Sequence, residues 1–151
     1  MPVKKPSRGY LTTVFGCRCP RCREGKLFQF PTSINFKLNM AMHKNCLVCG
    51  QPTEIEVGFY YGTAFVSYGL TVALSVVSFV AWVLTIGISV DDNRLFWWLG
   101  FNAVLLIVMQ PWLMRLSRSL WISWFVRYDP DWKQHKLDDF ERIVPEQMNN
   151  W

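Results

Sequence analysis

The chain has 151 residues, 51% of them hydrophobic and 16% aromatic, and its formal net charge is +5. The apolar residues are concentrated in the middle, and neither flank is long enough to bury the core of an ordinary soluble domain. Flanks of this size usually need a metal, a disulfide or a partner to fold. These properties exclude an ordinary soluble domain and indicate a membrane protein with small extramembrane parts.

Residues 1–14 are predicted to be a basic leader, which carries Lys4, Lys5 and Arg8. Such a segment is solvated and favours anionic lipid by about 1 kcal/mol for each nearby cation. Its basic residues lack the aromatic stacking pattern of nucleic-acid-binding proteins, so we expect no nucleic-acid partner. Residues 1–26 contain no apolar core, so we expect no signal peptide and assign the targeting role to the first span.

Two Cys-x-x-Cys motifs follow the leader, with 23 residues between them. Their four cysteines are Cys19, Cys22, Cys46 and Cys49. Each motif predicts a tight turn in which two sulfurs face one ion, and four thiolates form the closed tetrahedral site that zinc prefers. Pro20 presets the first turn, and Gly50 allows the positive φ needed after the second. We predict a structural Zn2+. The alternatives are iron in a rubredoxin-like site, a redox dithiol and metal-free thiols.

A fifth cysteine, Cys17, and His43 lie close to these motifs. Either is chemically able to replace a ligand, but we expect Cys17 to be a small buried or free thiol and His43 to be an exposed surface residue. Apolar and polar residues alternate in residues 26–30, 34–40 and 53–57, which is the period of half-buried strands. The cysteine turns and these strands together predict a small N-terminal β zinc ribbon, the domain of residues 15–58.

Two apolar runs, residues 63–90 and 95–114, dominate the middle of the chain. As a helix the first measures about 40 Å, more than the roughly 30 Å of a bilayer core, and the second is about one bilayer thickness. The runs are separated only by residues 91–94, which are Asp91, Asp92, Asn93 and Arg94. Four polar residues cannot cross lipid again. The predicted fold class is therefore an α-helical membrane protein with a two-span transmembrane hairpin over residues 59–114.

The distribution of charge predicts the orientation of this hairpin, because basic residues near membrane spans remain cytoplasmic. Nine Lys and Arg residues and three acids precede Gly62, six of each follow Met114, and the turn contains only Arg94 as a cation. We therefore expect a bacterial inner-membrane protein with both termini and the zinc ribbon in the cytoplasm and the turn in the periplasm. Cytoplasmic thiols are kept reduced, which favours metal ligands over disulfides.

The first span carries small, mostly hydroxylated residues at every third or fourth position. This stripe contains Ser67, Thr71, Ser75, Ser78, Ala81 and Thr85. Such a stripe lets another helix approach closely. In the second span Asn102 and Gln110 are strongly polar and need hydrogen-bond partners in hydrocarbon. We predict that these residues pack the two spans together, with docking of a different membrane protein as the alternative. The spans contain no charged residue, so we expect no transport path.

Residues 115–128 continue the helical pattern, with apolar residues on one side and Arg115, Arg118 and Arg127 roughly opposite. This arrangement predicts a C-terminal interfacial helix whose basic residues point toward lipid phosphates. Straight continuation of the second span is the alternative. Residues 129–151 are predicted to be a cytoplasmic tail.

Four segments carry a family likeness: residues 19–22 (Cys-Pro-Arg-Cys), residues 25–28 (Gly-Lys-Leu-Phe), residues 46–50 (Cys-x-x-Cys-Gly) and residues 58–62 (Gly-Phe-Tyr-Tyr-Gly) before a span. Together they resemble an uncharacterised bacterial family, domain of unknown function nine-eight-three. The resemblance covers the first cysteine turn to the end of the second span, although Arg23 stands where many zinc knuckles have glycine. It implies a small inner-membrane protein with a cysteine-knuckle start and two spans. Genomic association with cytochrome oxidase assembly functions implies a role with respiratory complexes.

The sequence contains no catalytic motif, because it has no supported order of serine, histidine and aspartate, no phosphate-binding glycine loop and only two histidines. We therefore expect a non-catalytic zinc-ribbon membrane protein that serves as an accessory or assembly subunit of a larger membrane complex. Its partners would be membrane lipid and that complex, with no small-molecule substrate. The alternative is a metal-handling or rubredoxin-like electron-transfer membrane protein.

Overall fold

The structure is a computed structural model that describes residues 8–87 and 93–137. The start of the predicted leader, Asp91 and Asp92 of the predicted turn, and the predicted tail beyond residue 137 lie outside the described residues. The described residues form four α-helices, in chain order α1 (Tyr10–Phe15), α2 (Phe36–Met40), α3 (Thr63–Thr85) and α4 (Arg94–Phe125). A short 3-10 helix, Phe59–Gly62, leads directly into α3.

Helices α3 and α4 pack side by side in opposite directions. The start of α3 lies beside Trp121 near the end of α4, and Asn102 in α4 contacts Ser75 in the middle of α3. At the far end, the Arg94 guanidinium donates a hydrogen bond to the Ile86 carbonyl at 2.9 Å. The two helices therefore form an antiparallel hairpin.

Both helices are long and apolar enough to cross a membrane, which confirms that prediction. With the preceding 3-10 helix, α3 extends over 27 residues, and α4 extends over 32. Their outward faces expose large apolar side chains, among them Phe65, Leu84 and Ile107 at 82%, 80% and 74%. Soluble proteins rarely expose a continuous apolar surface of this kind, whereas helices that face lipid do.

The predicted β zinc ribbon is wrong in its strands. Among the described residues the backbone pairs only as isolated β-bridges, which join Arg18 to Lys26, Phe28 to Met42 and Asn45 to Pro52. Residues 36–40, predicted as part of a strand, form α2 instead. The Asn35 side chain caps this helix by accepting a hydrogen bond from the Lys37 amide, and the buried Asn39 side chain donates to the Pro111 carbonyl. The cap and the buried Asn39 side chain therefore stabilise a helix where the alternation of apolar and polar residues predicted a strand.

Of the two predictions for residues 115–128, the separate interfacial helix is wrong and straight continuation of the second span is what forms, because α4 continues without a break to Phe125. The side of α4 that contains Arg115, Ser119 and Ile122 is buried. It is covered by residues 10–58, which we call the cysteine module. A face that is covered by protein cannot lie against lipid phosphates, so the second half of α4 supports the cysteine module instead.

The core of the protein lies between the cysteine module and the end of α4. It combines Leu27, Phe28 and Met42 of the module with Ile122 and Val126 at the end of α4, and the buried cysteines belong to the same cluster. Leu27 and Ile122 are completely buried. The buried cysteines and the end of α4 therefore share one small core.

Gly62 lies where α3 meets the second half of α4. A Cβ at this position would overlap the ring of Trp121, whose Nε1 donates to the Phe59 carbonyl at 2.7 Å. We expect Gly62→Ala to lower the free energy of unfolding by about 1–3 kcal/mol, the usual cost of overpacking. Gly69→Ala is the matched control, because no atom lies within 4 Å of a Cβ there. Thermal unfolding of the full chain in detergent measures both, and equal midpoints would contradict this packing.

Candidate metal centre

Four cysteine sulfurs meet at one point in the cysteine module. The Sγ atoms of Cys19 and Cys49 are 3.7 Å apart, those of Cys22 and Cys46 are also 3.7 Å apart, and all four lie within 4.8 Å of one another. Four sulfurs at about 2.3 Å from a central zinc ion form a tetrahedron with edges of about 3.8 Å. A disulfide requires an S–S distance of about 2.05 Å, so these free thiols are placed for an ion. The four predicted cysteines are thus brought together and positioned to hold a metal ion, with spacings that zinc and iron both accept.

The first cysteine turn is closed by its own backbone. The Arg23 amide donates to the Cys19 carbonyl at 2.8 Å, and the Gly25 amide donates to the Cys22 Sγ at 3.5 Å. Arg23 has a φ of 59°, a left-handed conformation that costs a non-glycine residue roughly 1–2 kcal/mol. Its guanidinium lies 3.8 Å from the centroid of the Tyr128 ring, and this cation–π contact offsets part of that cost.

The second cysteine turn has glycine at the corresponding position. Gly50 has a φ of 74°, and its amide donates to the Cys46 carbonyl at 2.9 Å. The Cys46 amide donates to the Gln51 carbonyl at 2.8 Å and so closes the base of the turn. Both turns therefore present two sulfurs to one point without any flanking strand.

Burial and mutual hydrogen bonding set the protonation of the four thiols. Cys19, Cys22 and Cys46 are at most 5% exposed, whereas Cys49 is half-buried. Hydrogen bonding with Cys19 lowers the pKa of Cys46 and lowers the pKa of Cys22 to about 6. Donation to Cys22 correspondingly raises the pKa of Cys19. Hydrogen bonding with the other thiols on balance raises the pKa of Cys49 as well. Thiolates are the species that bind metal, so two of the four thiols ionise readily and the other two must release a proton when a cation binds.

Gly25 leaves room for one of the ligands. A Cβ at this position would overlap the Sγ of Cys46. We expect Gly25→Ala to displace this sulfur and to lower metal affinity by roughly 10- to 100-fold, as is usual for residues that orient a ligand. Gly9→Ala is the matched control, since the nearest atom to a Cβ there is the Thr12 Oγ1 at 3.8 Å. Competition with a chelator measures both affinities, and equal chelator resistance in the two variants would contradict the prediction.

Arg115 binds the module to α4 by hydrogen bonds. The sequence pattern predicts this residue at the membrane interface. It is 6% exposed, and its guanidinium donates to the carbonyls of Phe30 at 2.7 Å, Pro31 at 3.0 Å and Asn39 at 2.9 Å. It also lies 4.6 Å from the centroid of the Phe28 ring. These carbonyls belong to a segment without strand partners, so the arginine supplies the donors that a sheet would otherwise provide. The only sequence signal for this role of Arg115 is its position just beyond an apolar run. That position predicts a lipid-facing arginine equally well.

Other contacts attach the ends of the module to the same support. The Ser119 hydroxyl of α4 donates to the Val14 carbonyl at the end of α1, at 2.9 Å. After α4, the chain returns to the first cysteine turn, where Asp129 pairs with Arg21 at 3.6 Å. The Arg21 guanidinium also donates to the His135 carbonyl at 3.0 Å. The described part of the predicted tail therefore packs against the metal centre.

Cys17 and His43 do not belong to the four-sulfur cluster. Cys17 is half-buried, and burial raises the pKa of its thiol. His43 is half-buried where the sequence predicted an exposed residue, and its amide donates to the Leu27 carbonyl at 2.9 Å. Both residues contribute to the packing of the module.

Three of the predicted packing residues join the two long helices. The Ser78 hydroxyl donates to the Asn102 Oδ1 at 3.0 Å, and the Asn102 Nδ2 donates to the Ser75 Oγ at 3.3 Å. Trp98 donates from Nε1 to the Ser78 Oγ at 3.3 Å. The Asn102 amide thus finds its partners on the opposite helix, as a polar group in hydrocarbon requires.

Between the described parts of α3 and α4, the remaining members of this set form no hydrogen bonds across the pair. Thr71 donates to the Ser67 carbonyl of its own helix at 3.2 Å, and both residues are half-buried. Ala81 and Thr85 are exposed, and Gln110 is half-buried on α4. The stripe therefore contributes to helix packing through its middle part.

The fold and the site define a helical hairpin that is able to cross a membrane and carries, on one of its helices, a cluster of four cysteines that could hold a metal ion. No family model matches this chain, and the comparisons with curated proteins and with solved structures give no significant match.

Proposed function

We propose that this chain is a non-catalytic membrane protein in which a structural Zn2+ holds the cysteine module, and that it serves as an accessory or assembly subunit of a larger membrane complex. The observation that supports this most directly is the set of four thiols around one point, three of them shielded from solvent. An ion with four thiolate ligands has no position left for water or substrate, which is characteristic of structural zinc. Zinc would stabilise a module that lacks strands and has a small core.

For its location we propose a bacterial inner membrane, with the module in the cytoplasm and the turn of residues 91–94 in the periplasm. The excess of basic residues in the module supports this orientation. The free thiols support it as well, because the cytoplasm keeps cysteines reduced. The resemblance to domain of unknown function nine-eight-three implies the same arrangement, and on that basis we propose a complex of the respiratory type.

The outward face of α3 supports a subunit role. Gly69 and Ala73 lie four positions apart on this face and are both exposed. Nothing lies within 4 Å of a Cβ at Gly69. Small residues at this spacing let a helix of another membrane protein approach closely. We propose this face for contact with the larger complex.

Affinity purification of the full chain from gently solubilised membranes, followed by mass spectrometry, tests the subunit role. We expect a larger membrane protein to co-purify in a fixed ratio, and Gly69→Leu to reduce its yield severalfold. Gly100→Leu is the matched control, because Gly100 is equally open on α4. Purification of the chain alone under every mild condition would argue against a subunit role, and equal losses in both variants would argue against this face.

Metal handling or rubredoxin-like electron transfer is the second candidate, and the half-buried Cys49 favours it. Because Cys49 borders solvent, an electron or an exchanging ion could reach the site through this ligand. The other three cysteines are shielded from solvent. Metal analysis of the purified chain separates the two functions. Zinc that survives dialysis supports the structural role, whereas iron with visible colour, or readily exchanged copper, supports the alternative.

A further inference from the structure

We propose that the cysteine module itself contacts the lipid bilayer, through an apolar edge that lies in the membrane interface. The apolar edge consists of Phe30, Ile34, Phe36 and Leu38. Ile34 is 86% exposed, Phe36 is 58% exposed, and the other two are 45% and 43% exposed. The inference rests on the proposed membrane insertion of the hairpin and adds a third site of contact with lipid.

The contacts of this edge with α4 set its depth. Residues 95–114 carry no charge and span about 30 Å as a helix, so Arg115 lies where the hydrocarbon ends. Arg115 donates to the Phe30 carbonyl at 2.7 Å, which places the start of the edge at that level. Asn39 in α2 donates to the Pro111 carbonyl at 2.8 Å, one helical turn or about 6 Å deeper. The Asn39 carbonyl accepts from Arg115 at 2.9 Å, so α2 lies between these two levels, within the boundary of headgroups and acyl chains that interfacial helices occupy.

Three features identify the partner as lipid. The segment that carries the edge contacts α4 at Pro111, one helical turn from Ile107, which is 74% exposed. Residues 30–40 contain no acid, and the exposed Lys37 is able to reach phosphates while its stem stays in the apolar layer. Trp112 lies on α4 at the same height, and Phe15 of α1 stacks on it with ring centroids 5.9 Å apart. Aromatic rings are typical of the headgroup level.

The metal centre lies at the opposite end of the module. Its cysteines pack with Ile122, which is about 16 Å further along α4 than Pro111. Leu47 lies between the second pair of ligands and is 77% exposed. Leu47 is more exposed than Phe36, but at this end of the module we expect it to face water and not lipid. The two ends of the module therefore provide a matched comparison.

A photocrosslinking experiment on the full chain in phospholipid nanodiscs tests this inference. Phe36, Leu47 and Val104 are replaced one at a time by p-benzoylphenylalanine, and adducts with phospholipid are quantified by mass spectrometry. Val104 is 62% exposed in the middle of α4 and reports on insertion of the hairpin. We expect phospholipid adducts at positions 36 and 104, severalfold above those at position 47, with unchanged metal content in all three variants.

The outcomes separate this inference from the proposed function. Adducts at position 104 with none at position 36 would overturn the apolar edge and leave membrane insertion of the hairpin intact. Adducts of position 36 with a protein in native membranes, and none with lipid, would overturn it in favour of a protein partner. Absence of lipid adducts at all three positions would overturn both the edge and the membrane location of the hairpin.

Discussion

Cys46→Ser is expected to release the metal and to unfold the cysteine module while α3 and α4 remain inserted. Cys46 is 3% exposed, and its Sγ lies 3.7 Å from that of Cys22, so no open space exists for a replacement ligand. A structural zinc contributes about 10–16 kcal/mol in small peptides. If the module loses about 3 kcal/mol of stability, the population of its unfolded form rises roughly a hundredfold, and the rate of proteolysis rises with it.

Cys17→Ser is the control for this variant, because it makes the same chemical change outside the cluster. We expect it to retain both its ion and its protease resistance. Zinc per chain and limited proteolysis of the membrane-inserted protein measure the two variants. A protease-resistant module in Cys46→Ser would count against a structural metal, and loss of the ion in Cys17→Ser would show that the ligand set is wrong.

Arg115→Met should detach the segment of residues 30–39 from α4 without removing the metal. The substitution leaves the carbonyls of Phe30, Pro31 and Asn39 without the donor that the arginine supplies. The contact to Asn39 is buried and the other two are part-buried, and a buried acceptor left unsatisfied costs about 1–3 kcal/mol, so we expect a total loss of roughly 3 kcal/mol. Hydrogen exchange of this segment should then become about a hundredfold faster.

Arg127→Met controls for the loss of charge, since Arg127 is exposed beyond the end of α4. This variant should exchange at the wild-type rate. Metal content should be unchanged in both variants, because neither replaces a ligand. Unaltered protection of residues 30–39 in Arg115→Met would show that the module is held to α4 by its apolar core alone.

The parts of the fold that the sequence predicts are those decided by local chemistry. Each Cys-x-x-Cys motif closes its own turn through a few neighbouring backbone groups, so the pairing of Cys19 with Cys22 and of Cys46 with Cys49 follows from the local sequence. The two spans are likewise predictable, because length and the absence of charge are sufficient to define them.

The parts that sequence reasoning missed depend on distant partners. Residues 34–40 alternate as a strand does, but Asn39 is held by Pro111 and Arg115, which lie 72 and 76 positions away. Arg115 and Ser119 likewise have the spacing of a lipid-facing helix in the sequence. In the structure the cysteine module covers them. These partners are not visible in a local window. The pattern therefore predicted a strand where α2 forms, and it predicted the right element but a lipid-facing surface for the part of α4 that the module covers.

The central claim is that four thiolates of the cysteine module hold one structural zinc ion at the end of the membrane hairpin. X-ray absorption at the zinc edge tests it most directly, on the full chain purified from membranes and dialysed. We predict one zinc per chain with four sulfur neighbours at about 2.3 Å. Nitrogen or oxygen neighbours at the zinc, or a well-folded module that holds no ion, would contradict the claim.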